Sequence, residues 1–141
     1  MNTRTNQLFA CLIATTLFLI VTTNSNAASR GIDENFSVKE YNEFHEVLHT
    51  LQHEALPKKD FATIRARACE LTILGEAIVK LGVPGGVKTV SDFEKELKTF
   101  DGALTKFKNE AGVSTDAQLE ESYLAVHDSF EMLASMLPKK K

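Results

Sequence analysis

Apolar side chains recur every three or four residues in four separate runs, and proline or glycine closes each run. That period matches the 3.6-residue turn of an α-helix and conflicts with the two-residue alternation of a half-buried strand, so the chain is confined to amphipathic helices. In the first run Tyr41, Phe44, Leu48, Leu51 and Ala55 lie on one side and Leu56-Pro57 ends it, because the residue before proline is expected to leave the helical region. Phe61, Ile64, Ala68, Leu71, Ile78 and Leu81 form the second stripe, closed by Gly82-Val83-Pro84-Gly85-Gly86. Phe93, Leu97, Phe100, Leu104 and Phe107 form the third, up to Gly112, and Leu119, Tyr123, Val126, Phe130, Leu133 and Leu137 the fourth, up to Pro138.

Helix starts follow from capping chemistry. Ser37-Val38-Lys39-Glu40 and Ser91-Asp92-Phe93-Glu94 have the spacing of capping boxes, which predicts helices from Val38 and from Ser91. Asp60 is expected to cap the second helix, and Thr115-Asp116-Ala117-Gln118 opens the fourth. Four helices of about 20 residues joined by short connections predict an all-α, antiparallel up-down-up-down four-helix bundle. With Trp absent and only 7 Gly and 3 Pro, the composition suits long helices better than many turn-rich strands.

The bundle is expected to occupy residues 28–141, behind a signal peptide at residues 1–27. One cation, Arg4, precedes an apolar run from Leu8 to Val21, and a polar stretch ends at Ser25-Asn26-Ala27, the small-residue pattern of a cleavage site after Ala27. That run is short of the roughly 20 apolar residues a stable span needs, so no membrane span is expected after cleavage. Export makes the protein periplasmic or secreted. Removal of Cys11 would leave Cys69 as the one cysteine of the exported chain, with no disulfide expected within it.

Charge and motifs exclude several functions. The 16 basic and 19 acidic side chains give a formal charge of −3, and loss of Arg4 takes it to −4, so no cationic surplus exists to neutralise a nucleic-acid backbone. Pro84-Gly85-Gly86 lacks the lysine and the strand-to-helix setting of a phosphate-binding loop. No serine or cysteine stands in a recognisable nucleophile motif, and the chain is not expected to be an enzyme. No helix has the spacing that a di-iron carboxylate centre requires.

Histidine carries the remaining chemistry. His45, His49 and His53 follow one another at steps of four on the first helix, where each step drifts by about 40°, so the imidazoles form a ridge. His45 is placed at the edge of the apolar face, with His49 and His53 turning toward solvent. His127 stands 11 residues into the fourth helix from Asp116, and His45 stands 11 residues before Leu56, which puts them at one level if the two helices are antiparallel neighbours. His127, between Val126 and Phe130, is expected to point inward, with Glu131 one turn further on. His45, His49, His127 and Glu131 are therefore the expected ligands of a transition-metal ion of the Cu, Zn, Ni or Co class. The alternative is a set of boundary histidines hydrogen-bonded to carboxylates such as Glu46, Asp128 or Glu131.

The exported bundle resembles the cytochrome c-prime group, although the Cys-x-x-Cys-His attachment sequence is missing and covalent haem is excluded. His45 and His49 on the first helix with His127 on the last are similar to the periplasmic metal-sensing domains of heavy-metal resistance systems. That resemblance implies nickel, cobalt, zinc or copper binding, with Glu70 as a second-helix donor. Those domains carry methionine four residues after the last histidine, and this chain has Glu131 there and Met132 one step on. The expected function is an exported bundle that buffers, carries or senses a metal. The alternative is a ligand-free structural or chaperone-like interaction protein, with Met132 and Met136 beside Leu133 and Leu137 as an adaptable edge. Its protein partner would be a second copy or another periplasmic protein.

Overall fold

The computed structural model describes residues 36–139. The leader assigned to residues 1–27 lies outside the described residues. All secondary structure in 36–139 is helical. Helix α1 spans Lys39–Thr50 and runs into a π-helical turn, Leu51–Ala55, and a 3-10 turn, Leu56–Lys58. Helices α2 (Phe61–Leu81), α3 (Val90–Glu110) and α4 (Asp116–Ser135) follow. No helix among the described residues is long and apolar enough to cross a membrane.

Consecutive helices pack on one another, as an up-down bundle requires. Inter-helix contacts reveal the senses of the helices. Tyr41 and Phe44 meet Phe130, while the Tyr123 hydroxyl donates to the Leu48 carbonyl at 3.1 Å, so α1 and α4 run oppositely. Phe100 meets Phe130 and Phe107 meets Tyr123, which sets α3 against α4 in the same manner. The core is strongly aromatic: Tyr41, Phe44, Phe93, Phe100, Phe107, Tyr123 and Phe130 are all fully buried. Burying each such ring is worth roughly 1.5–3 kcal/mol, so these side chains dominate the cohesion of the fold.

The cap geometry departs from the expected pattern in two places. Neither Ser37 nor Ser91 caps a helix: α1 begins after Val38 and α3 after Thr89, with no side-chain cap bond at either. At α1 the work passes to Asn42, whose amide accepts from the Phe36 N–H at 2.7 Å and donates to the carbonyls of Phe36 and Val38. The Ser37 hydroxyl instead donates to the Pro138 carbonyl at 3.3 Å. The other two caps form as expected. Asp60 accepts from the Thr63 backbone, and Thr115 and Gln118 make a reciprocal capping box.

Pro57 does not stop the first helix at Leu56, which keeps helical angles of φ −61° and ψ −45°. Proline lacks an N–H, and in a continuing α-helix its ring presses on the carbonyl four residues back, here that of His53. The chain relieves the clash by widening into the π turn just before Pro57. Termination comes two residues later, at Lys59, whose φ of 54° is left-handed. Asp60 N–H then donates to the Ala55 carbonyl and Lys59 N–H to that of Leu56, the pattern of a Schellman stop.

Two further contacts fix the helix pairs. Arg65 on α2 donates to the carbonyls of Ala111 and Ser114 and to the Asp116 carboxylate at 2.7–2.9 Å, tying the α3–α4 turn to α2. Gly75 on α2 admits Leu104 of α3 so closely that a Cβ there would lie 2.6 Å from Leu104 Cδ1. Cys69 sits on the exposed side of α2.

Candidate functional site

The histidines lie along the seam where α1 faces α4. His45 is half-buried beneath two aromatic rings: Phe36 meets it edge-on at 5.4 Å between centroids, and Phe130 stacks on it at 6.1 Å with 19° between planes. His49 follows at 5.6 Å from His45, and His53 lies 4.3 Å from His49. The ladder therefore closes up toward its exposed end. In a regular α-helix each step of four drifts by about 40°. Between His49 and His53 the wider π turn advances less per residue, cancels that drift and sets the exposed His53 ring over that of His49.

His127 takes a different position from the one expected. The fully buried face of α4 runs through Leu119, Ser122, Tyr123, Val126, Phe130 and Leu133, and His127 lies at its edge, with 24% of its side chain exposed. Its Nδ1 stands 3.0 Å from Asp128 Oδ1, one of the carboxylates anticipated for a boundary histidine. Glu131 is exposed. Among the described residues no three His, Cys, Asp or Glu side chains gather as a group able to hold a metal ion, so His45, His49, His127 and Glu131 are not assembled into one ligand shell. The predicted level of His45 and His127 agrees with the Leu48–Tyr123 and Phe44–Phe130 contacts.

Sequence reasoning undervalued His53, since a wheel of constant pitch turns it to solvent. Pro57, four residues on, was the signal that the pitch would change. Phe36 and Phe130 as the walls around His45 had no such signal, because both contacts depend on how separate segments dock.

The interior offers little to a ligand. Thr72, Ser122 and Ser129 are the buried polar residues among those described, and each hydroxyl donates to a carbonyl of its own helix. A groove at one end of the bundle is lined by Gly86–Thr89 and Ser135–Lys139 and carries no acidic side chain or histidine. In comparison with known proteins, the chain matches no family model, no curated protein and no solved structure. Of the likenesses expected from the sequence, the structure shows the four-helix, all-α bundle alone.

Proposed function

We propose that this is an exported helical-bundle protein acting through its surface, as a structural or chaperone-like partner of other proteins. The observation that carries this reading is the closed aromatic interior, in which no charged side chain is buried among the described residues and every buried hydroxyl of Thr72, Ser122 and Ser129 is used within its own helix. Such a core offers no buried charged side chain to a ligand, and recognition falls to the outside. Large apolar side chains stand there, among them Ile73 on α2 at 59% exposure and Met132 on α4 at 52%. Methionine suits adaptable contact because its unbranched thioether repacks easily.

Export rests on the leader layout of residues 1–27, with cleavage after Ala27 and a periplasmic or secreted destination. Intact-mass measurement on protein recovered from a secreting bacterial host tests this part, and a product retaining Met1 through Ala27 overturns it. The interaction is tested in the same host with a photo-reactive residue placed at Ile73, Met132 or the exposed Thr105. A discrete protein adduct at Ile73 or Met132 and none at Thr105 is expected. An identical adduct pattern at all three sites, or none at any, overturns the reading.

A further inference from the structure

We propose that His49 and His53 form a two-imidazole chelate for a single Cu(II)-class ion on the outer side of the first helix. This site is independent of the interaction surface proposed above and differs from the His45, His49, His127 and Glu131 set expected from sequence. Its basis is the 4.3 Å between the two ring centroids. With a metal–nitrogen bond of about 2.0 Å, an ion sits roughly 3.2 Å from each ring centroid. Rings 4.3 Å apart then subtend roughly 85° at the ion, which is the cis angle of a tetragonal site. The His45–His49 pair, at 5.6 Å, would subtend roughly 125° and suits no such site.

Two imidazoles at a right angle favour Cu(II) over Zn(II), whose tetrahedral shell wants a wider angle, and Cu(II) also stands at the top of the divalent affinity order. A ring centroid lies nearly on the Cβ–Cγ axis, so rotation about χ2 turns a nitrogen toward the ion while barely changing the separation of the rings. His53 is exposed and His49 half-buried, so the pair lies at the surface of the first helix. No third protein donor is gathered with them among the described residues, and water completes the shell. The pitch change that aligns the rings is imposed by Pro57, so the clip is a by-product of how the first helix accommodates its proline.

The test titrates Cu(II) into the tag-free chain in a non-coordinating buffer, followed by calorimetry and electron paramagnetic resonance. Expected are one tetragonal ion with hyperfine structure from two nitrogens, a weakening of at least tenfold in His53→Ala, an affinity within twofold of wild type in His127→Ala, and weaker binding of Zn(II). Because His53 is exposed, the variant should keep its helical circular-dichroism spectrum, which separates loss of the clip from loss of the fold. Wild-type affinity in His53→Ala, an equal loss in His127→Ala, or no copper binding by the wild type overturns the proposal.

Discussion

Tyr41 and Tyr123 are both fully buried, yet their hydroxyls have opposite fates. The Tyr123 O–H donates to the Leu48 carbonyl, whereas the Tyr41 O–H is buried with no hydrogen-bond partner. A paired hydroxyl is worth about 1 kcal/mol net, and a stranded one costs about 1–3 kcal/mol. Tyr123→Phe should therefore destabilise by about 1 kcal/mol and Tyr41→Phe should be neutral or stabilising, as urea denaturation of both variants will show. Burial also pushes both phenols well above the ordinary tyrosine range. The folded state thus holds these protons more tightly than the unfolded chain, whose tyrosines titrate near about pH 10. Their protonation supports the fold fully below that pH, and stability is lost as pH rises through it. Absorbance near 295 nm followed upward in pH should show phenolate appearing together with unfolding, and phenolate appearing while the helical spectrum persists would contradict the burial.

At the scale of elements, two glycines in helix interiors call for opposite substitutions. Gly102 on α3 is exposed, with nothing within 4 Å of the point a Cβ would occupy, so Gly102→Ala should stabilise by about 0.5–1 kcal/mol through helix propensity alone. Gly75→Ala gains the same propensity but drives a methyl into the side chain of Leu104, which is 2% exposed and has no room to withdraw. Overpacking of this kind costs about 1–3 kcal/mol and outweighs the gain. Thermal melts of Gly75→Ala, Leu104→Ala and the double variant should show the double variant costing less than the two single losses combined. Capping separates the helices in the same way. Thr115→Ala should cost about 1 kcal/mol because a formed capping box is lost, while Ser91→Ala should cost almost nothing because α3 begins after Thr89 without a side-chain cap.

Across the whole molecule, α1 and α4 are joined mainly through large rings rather than close backbone contact. Phe100 of α3 sits at the junction, 5.4 Å from Phe44 and 6.3 Å from Phe130 between centroids. Removing it strips contacts from three helices at once, so Phe100→Ala should cost about 3–5 kcal/mol in chemical denaturation. Loss below about 1 kcal/mol would mean that the aromatic junction is not what couples the helices.

Four helices, their approximate limits and most of their buried faces were legible in the sequence, since a 3.6-residue apolar period is a local property that survives any packing arrangement. The fourth stripe, Leu119 to Leu137, is buried throughout. Leu81 of the second stripe is exposed at 43%, because it is the last residue of α2, where the helix runs out of neighbours. The Ser37 cap was decided by distant packing: Ser37 donates to Pro138 from the far end of the chain, and Asn42 reaches the free groups of Phe36 and Val38 instead. Only the tertiary structure decided how the histidines relate. A wheel gives the direction of a side chain from a regular helix, but the widened turn before Pro57 resets that direction, and the distance between α1 and α4 is set by the rings packed between them. Spacing along the sequence could therefore place His45 and His127 at one level, while the separation of their side chains depended on packing that no local pattern encodes.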